Sequence, residues 1–281
     1  MSPFDRFIYF IKERDRIRIR KLAKLPQSEW TSDQILKDWR FCNVDRNEDT
    51  QTKWIHERII RQHYKCPDLW LNLVLARFIN WSPTLDAIGY IEGWSKKYFV
   101  ERMKHLCANE DKVWTGAYMV KSDLGVPKYE YVARIVNTMS LDTGLYNALD
   151  MSTHCSRTAK WMLKFTGMGE FMVNQIITDM KYSRYLKGAA DWSTFVLPGP
   201  GTRRGLNRII GSAKDKPMKT EVAVALMQDI RKEVCLAIPQ LKTVFRDLNN
   251  ISNCLCEFDK YIRVANGEGQ PRAKYTPASP A

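Results

Sequence analysis

Apolar residues recur at helical spacing along most of this chain, and this periodicity limits the fold more than any other feature. Ser2 and Pro3 are typical of an N-cap followed by the first helical residue. The next apolar residues follow the spacing of one helix face: Phe4, Phe7, Ile8 and Ile11. Residues 69–80, which follow a Pro-Asp pair, form a strongly apolar segment that we expect to be a central core helix. The pattern predicts an all-α fold.

The remaining helices are predicted from the same periodicity, with one exception. They cover residues 49–59, 95–107, 144–150, 156–165, 170–182, 203–210, 220–237 and 241–261, and a further helix is expected to start at Ser82 and Pro83. Residues 113–120 and 131–136, separated by a turn-like Ser-Asp-Leu-Gly sequence, could instead form a small β-hairpin. We expect one helical domain over residues 1–265 and a flexible tail over residues 266–281, which is rich in Gly, Pro, Ala and Ser.

The charge is strongly positive and concentrated in two segments. There are 44 Lys and Arg against 31 Asp and Glu, a net charge of +13. Residues 1–24 hold eight basic and three acidic residues, and residues 181–220 hold nine and two. This distribution favours a polyanionic partner such as double-stranded DNA, although the first run could also be only the solvated side of a helix.

Other composition features exclude several classes of protein. The sequence contains neither an uninterrupted apolar segment long enough for a membrane span nor the pattern of a signal peptide at its start. Seven scattered cysteines are an odd number and fit reduced thiols better than a disulfide framework. We therefore expect a cytoplasmic, monomeric protein without a membrane partner.

A glycine turn between two predicted helices is the clearest local motif. Gly167 and Gly169 flank Met168, so the backbone N–H groups at the next helix start are open to an anion such as a phosphate. A tight turn without any ligand is the alternative. Lys181 follows on the next helix, and the loop at residues 198–205 adds further candidates for DNA contact, Thr202, Arg203 and Arg204, before a helix that we expect to begin near residue 206.

Asp191 lies 22 residues after Gly169. A glycine hairpin followed at about this distance by an aspartate resembles the helix-hairpin-helix DNA glycosylases, over roughly residues 155–212. In that family the hairpin grips the DNA backbone and the aspartate lies at the mouth of a pocket for a flipped-out base. The resemblance makes Asp191 a candidate catalytic carboxylate, which would stabilise an oxocarbenium-like transition state. It could equally be an N-cap or surface aspartate.

A second resemblance covers most of the chain. It is carried by residues 39–50, 77–80, 116–119, 175–182, 198–207 and 254–261, in that order. Together they resemble the helical domain of phage 5-hydroxymethyluracil DNA kinases and of the related alpha-glutamyl/putrescinyl thymine pyrophosphorylases. The resemblance implies a glycosylase-like helical fold that acts on hydroxymethylated pyrimidines in DNA.

Several further residues are candidates for the site. Asp179 lies four residues after Gln175 on one helix face, so the two could read a base edge together or belong to a buried network. Asp259 is a third candidate carboxylate, preferred to Glu257, with a helix-stabilising salt bridge as its alternative. The candidates for substrate contact are Asn43, Arg46, Gln175, Tyr118 and Trp192, the last as a stacking surface.

No cofactor or metal is expected. The chain lacks the Gly-x-x-x-x-Gly-Lys-Ser/Thr phosphate loop, which argues against ATP-dependent phosphoryl transfer by this chain alone. Cys254 and Cys256 form only a pair, and His56 and His63, which are seven residues apart, have no third ligand in the sequence. Phe171 occupies the position of the nucleophilic lysine of lyase-type glycosylases, which favours simple hydrolysis.

Three functions follow as hypotheses. The first is a monofunctional DNA glycosylase that flips and excises a hypermodified pyrimidine, derived from a hydroxymethyl base and possibly glycosylated, from phage DNA, as in antiviral defence. The second is a transferase of thymidine hypermodification that acts on 5-hydroxymethyluracil-derived bases. The third is a non-catalytic DNA-binding module, which would bind duplexes in a salt-dependent way and yield no product.

Overall fold

A computed structural model of the chain describes residues 1–116, 125–150, 153–271 and 274–275. The described residues contain thirteen α-helices and no strand, which confirms the all-α prediction. The helices are α1 (Pro3–Leu22), α2 (Gln34–Asp38), α3 (Thr50–Trp54), α4 (Leu69–Ile79), α5 (Ser82–Ile88), α6 (Lys96–Asn109), α7 (Lys128–Ser140), α8 (Thr143–Asp150), α9 (Cys155–Met162), α10 (Glu170–Met180), α11 (Pro200–Ile209), α12 (Thr220–Ala237) and α13 (Leu248–Ala265). A π-helical segment, Ile55–Ile60, continues α3. No helix of the described residues has both the length and the apolar character that a membrane span requires.

The predicted β-hairpin is wrong in its second half. Residues 131–136 lie inside α7, and the side chains that α7 buries are spaced three and four residues apart, as in Val132, Val136 and Met139. Burial of that helical face therefore outweighs the strand propensity of the local Val and Ile residues. Residues 117–124, which include most of the first half, lie outside the described residues.

The chain forms two compact units. Unit 1 comprises Met1–Asp49 and Val196–Ala281, and unit 2 comprises Thr50–Phe195. The expectation of one domain over residues 1–265 stays a prediction, since a division into compact units does not decide whether each one folds independently.

Unit 1 has a core built around α1, α11 and α13. Ser2 caps α1 in a reciprocal capping box with Asp5, as the Ser-Pro start predicts. The buried faces of α1 and α13 meet through aromatic rings, with the centroids of Phe7 and Phe258 5.2 Å apart. α11 lies so close to α13 that a Cβ atom on Gly205 would come within 2.2 Å of the Leu255 carbonyl oxygen. Glycine is therefore required there.

α11 begins at Pro200, three residues before the predicted range 203–210 and six before the start expected near residue 206. Gly199 is its N-cap and Pro200 its first residue, where the missing N–H of proline costs nothing. The Pro-Gly-Pro-Gly sequence is therefore not an open loop throughout, because its second half forms the first turn of a helix packed on α13.

Part of the predicted flexible tail is held against unit 1. The Tyr275 N–H donates to the Asp38 carbonyl oxygen at 2.7 Å, and the Tyr275 ring packs on Trp30 with the centroids 4.6 Å apart. The Lys21 ammonium packs against both rings, 4.1 Å and 4.2 Å from their centroids. Burial, followed by the positive charges of Arg14 and Arg40, lowers the pKa of Lys21 to about 8.

Unit 2 has α4 as its central element. Every residue from Leu69 to Ile79 is buried, which confirms the expected core helix. α4 packs against α7 and α10, and Asn80 ends it in the left-handed conformation. A buried polar group on α4 must therefore find its partner inside the unit.

Candidate functional site

A fully buried ion pair of unit 2 joins α4 to α10. Arg77 and Asp179 are 1% and 0% exposed. The guanidinium group donates two hydrogen bonds to the carboxylate, from Nε to Oδ2 and from Nη2 to Oδ1, both at 2.5 Å. This is the bidentate geometry that makes arginine–carboxylate pairs strong and directional.

Arg77 and Asp179 have further polar neighbours in unit 2. Arg77 Nη2 also donates to Thr52 Oγ1 at 3.2 Å, and Nη1 donates to Asn80 Oδ1 at 3.4 Å. His56, on the π-helical segment, places Nε2 3.8 Å from Asp179 Oδ1, and its side chain is 21% exposed. Asp179 therefore orients Arg77 directly and places a negative charge beside the more accessible imidazole. Short π-helical segments are frequently found at functional sites.

Aromatic rings extend this arrangement. The centroids of His56 and Tyr182 are 4.7 Å apart, and those of Tyr182 and Trp192 are 5.8 Å apart in an edge-on contact. Trp192 is itself held by the hydrogen bond from its Nε1 to the Lys181 carbonyl oxygen, at 2.9 Å. We call His56, Arg77, Asp179, Tyr182 and Trp192 the His56 cluster.

The side chains of the predicted site residues on α10, and of Lys181 directly after it, are buried. Both oxygens of Asp179 accept hydrogen bonds from Arg77, so direct contact of this carboxylate with a base or sugar does not fit its burial. Gln175 is also buried, at 6% exposure, and its role in base reading stays a prediction. Lys181 is 1% exposed and donates to the Phe195 carbonyl oxygen at 3.1 Å, so a direct phosphate contact by its ammonium does not fit either.

Asp191 binds the start of α9. Its Oδ1 accepts from the Cys155 N–H at 2.6 Å and its Oδ2 from the Ser156 N–H at 2.9 Å. Burial alone would raise the pKa of Asp191, but the hydrogen bonds from Ser156 and Cys155 outweigh it and lower the pKa below its ordinary value. The carboxylate satisfies helix N–H groups that would otherwise have no acceptor, which is a structural use of the predicted catalytic residue.

The predicted glycine turn joins α9 to α10. Gly167 has φ +90°, and a Cβ there would meet Ile135 Cδ1 at 2.5 Å, so both conformation and space require glycine. Gly169 is the N-cap of α10, and a Cβ on it would have no neighbour within 4 Å. The turn exists as predicted, and its role in gripping DNA stays a prediction.

Unit 1 places Asn43 and Arg46 in a second polar group. The Asn43 N–H donates to Asp49 Oδ1 at 2.9 Å, and Arg46 Nε lies 3.4 Å from Asp49 Oδ2. Two α13 side chains hold the backbone of this segment, because Asn250 accepts from the Arg46 N–H at 3.1 Å and Asn253 donates to the Asn43 carbonyl oxygen at 3.0 Å. Both predicted substrate residues are thus positioned on a folded segment, as a binding role requires.

Asp259 lies in a cluster of arginines. It is 1% exposed, and its oxygens accept from Arg204 Nε at 2.9 Å and from Arg208 Nε at 2.8 Å. Arg263 Nε is 3.5 Å away. The predicted alternative, a salt bridge that stabilises the helix, describes this geometry better than a free catalytic carboxylate does.

The predicted DNA-contact residues in the first turns of α11 also have partners inside unit 1. Thr202 is buried and bonds to Ser252 on α13. Arg203 donates to the Met218 carbonyl oxygen and to Thr220 Oγ1. The burial of Thr202 does not fit a phosphate contact by its hydroxyl, and DNA binding by Arg203 and Arg204 stays a prediction. Tyr118 lies outside the described residues.

Arg77, Thr52 and His56 were not among the predicted site residues. Arg77 carried a usable signal, because it is the only charged residue in the run from Leu69 to Ile79 and its burial required a carboxylate partner. The sequence does not indicate which carboxylate that is, since the partner lies 102 residues away.

Comparison with known proteins identifies the family. Residues 2–270 match the family model described as the helical domain of 5-hmdU DNA kinase. The chain belongs to this family. This is the family that the second resemblance in the sequence predicted, so the expected family is confirmed. No solved structure shows significant similarity to the chain.

A curated relative agrees with this assignment. The chain is similar to the 5-hmdU DNA kinase of Bacillus phage SP10, with 24% identity over 228 residues. The match covers 72% of this chain and 36% of the relative. The chain therefore spans only about a third of the length of that kinase.

Proposed function

We propose that this chain acts on DNA that contains 5-hydroxymethyluracil or a base derived from it, as part of a transferase that modifies the 5-hydroxymethyl group. The observation that carries the proposal is the family match over residues 2–270. The relative is named as a kinase of 5-hmdU DNA, which is a group transfer and not a base excision. The transferase hypothesis is therefore favoured over the glycosylase hypothesis.

The His56 cluster supplies groups suited to such a transfer. When the hydroxymethyl oxygen attacks an electrophilic donor, a new bond forms to the transferred group, the donor's leaving group departs, and the hydroxyl proton needs an acceptor. His56 is the candidate general base, because its imidazole is partly exposed and an imidazole nitrogen can accept a proton. Asp179, whose Oδ1 lies 3.8 Å from His56 Nε2, would stabilise the imidazolium that forms.

Tyr182 and Trp192 are the candidate stacking surfaces for the base. A base that reacts at its 5-substituent must leave the helical stack, and proteins commonly hold extruded bases against aromatic rings. Both rings are half-buried; Tyr182 packs against His56, and Trp192 packs against Tyr182. In unit 1 we assign Asn43 and Arg46 to DNA contact, since an amide and a guanidinium are common readers of base edges and phosphates.

The test incubates the purified chain, with and without a nucleoside triphosphate, with duplexes containing thymine, 5-hydroxymethyluracil, its pyrophosphorylated form or 5-hydroxymethylcytosine. The reacted DNA is analysed by nucleoside mass spectrometry, which detects a modified base, and by alkali cleavage, which detects abasic sites. A heavier nucleoside from a hydroxymethyluracil duplex is the expected product. Free base with alkali-labile sites would instead establish excision. Salt-dependent binding without any product would contradict catalysis by this chain alone and favour a DNA-binding role.

The variants His56→Gln and His105→Gln make the test specific. His105 is an exposed histidine on α6 and serves as the matched control. Loss of a general base lowers a rate by about 100- to 10,000-fold. We expect that loss in His56→Gln with DNA affinity retained, and a parental rate in His105→Gln. Equal rates in both variants would remove His56 from the chemistry.

A further inference from the structure

A second cluster of unit 2 brings together three side chains that can ligate a metal ion. His63, Cys66 and Glu92 each offer one ligand atom, and these atoms all lie within 4.8 Å of one another. They supply an imidazole nitrogen, a thiol sulfur and a carboxylate oxygen. None of them belongs to the His56 cluster.

The distance between the sulfur and the nitrogen of this cluster is close to the one that a zinc site requires. Cys66 Sγ and His63 Nδ1 are 4.0 Å apart. With Zn–S and Zn–N bonds of about 2.3 Å and 2.0 to 2.1 Å at a tetrahedral angle, sulfur and nitrogen stand about 3.6 Å apart. Closing a few tenths of an ångström needs only small side-chain rotations. The exposed Glu92 side chain has room to complete the set.

The backbone that carries Glu92 is fixed on both sides. Asn72 of α4 clamps Ile91, accepting from its N–H and donating to its carbonyl oxygen, both at 2.9 Å. Asp68 Oδ2 accepts from the Gly93 N–H, also at 2.9 Å. Such contacts hold a ligand-bearing segment in place before any ion binds, which is the role of outer-shell groups in metal sites.

The histidine is held as well. The His63 ring stacks on Tyr90 with the centroids 3.6 Å apart and the ring planes 10° from parallel. Tyr90 and His63 also line a cavity of about 170 Å³, which leaves space for a water molecule or a ligand atom.

We propose that His63, Cys66 and Glu92 bind a divalent zinc ion and leave its fourth position to a water molecule. A mixed nitrogen, sulfur and oxygen donor set is the one that Zn²⁺ accepts readily, whereas Mg²⁺ and Ca²⁺ prefer oxygen alone. On binding, the Cys66 thiol gives its proton to solvent and the thiolate forms the bond to the metal. This site revises the expectation of no metal, which considered His63 only together with His56.

The experiment titrates the reduced full chain with Co²⁺, a spectroscopic substitute for Zn²⁺, and then displaces it with Zn²⁺. We expect one equivalent of Co²⁺ to produce a thiolate-to-cobalt charge-transfer band that Zn²⁺ abolishes. Cys66→Ser should lose the band, and His63→Gln and Glu92→Gln should each weaken binding by about tenfold or more. Far-UV circular dichroism verifies that each variant remains helical.

Cys107→Ser and His105→Gln are the matched controls, because both residues are exposed and lie outside the cluster. Their titrations should equal that of the parent chain. The proposal is overturned if no band appears at saturating Co²⁺, if Cys66→Ser keeps it, or if Glu92→Gln binds as tightly as the parent. The readout requires no enzymatic activity, so its result is independent of the proposed transferase function.

Discussion

Asp179→Asn offers the sharpest test of the buried pair in unit 2. The substitution keeps the shape of the side chain and removes the charge that compensates Arg77, which is only 1% exposed. Arg77 Nε and Nη2 both donate to Asp179, and the change to an amide leaves a single acceptor oxygen in place of the carboxylate. Removing one partner of a buried pair costs about 3 to 5 kcal/mol. The total free energy of unfolding of a domain is about 5 to 15 kcal/mol, so this loss is a large part of it.

The assay is urea denaturation followed by tryptophan fluorescence. We expect the midpoint to fall in Asp179→Asn while Asp229→Asn, which breaks an exposed pair with Lys232, stays within about 0.5 kcal/mol of the parent. The double variant Arg77→Met with Asp179→Leu removes both charges and should cost much less than the two single losses together. A change below about 1 kcal/mol in Asp179→Asn would refute the assignment of a buried, uncompensated charge.

Three further perturbations test other contacts. Asp191→Asn should cost about 0.5 to 1.5 kcal/mol, because the amide has one acceptor oxygen for the two N–H groups at the start of α9. Because folding lowers the Asp191 pKa, its contribution to stability is complete above the ordinary aspartate pKa of about 3.9 and is lost as the pH falls through the lower folded-state value, which acid titration of stability would show. Gly205→Ala should lower the free energy of unfolding by about 1 to 3 kcal/mol, because the new Cβ would meet the Leu255 backbone. Gly188→Ala, where a Cβ has no neighbour within 4 Å, should keep the parental melting temperature in the same thermal melt. Lys21 should titrate near pH 8 in a carbon-13 NMR experiment on labelled lysine. The cost of burying its charge is therefore present at low pH and is relieved as the pH rises from about 8 to about 10.4. A midpoint near the ordinary lysine pKa would contradict its burial against the two rings.

Local features were predicted well where neighbouring residues encode them. The Ser-Pro start of α1, the apolar helix α4 and the glycine turn before α10 all have the expected form. Each depends on a cap, a helical apolar face or a glycine conformation, and these act within a few residues. The family assignment succeeded for a related reason, because several short motifs occur in a fixed order.

The misplaced features depended on packing between distant residues. Residues 131–136 form part of a helix because their apolar face is buried, and α11 starts early because its glycines allow it to approach α13. Three aspartates looked alike as candidate catalytic groups. Asp179 bonds to a buried arginine, Asp191 caps a helix, and Asp259 lies among arginines.

The sequence by itself determined the helical class, the approximate positions of most helices and the family, because periodicity, capping and motif order are properties of the linear chain. Only the tertiary structure decided which polar groups meet. The partners Arg77 and Asp179 lie 102 residues apart, and the three groups of the proposed zinc site come from a turn after the π-helical segment and a loop after α5. Burial raises the cost of any polar group left without a partner, so packing selects these pairings and gives each carboxylate its role.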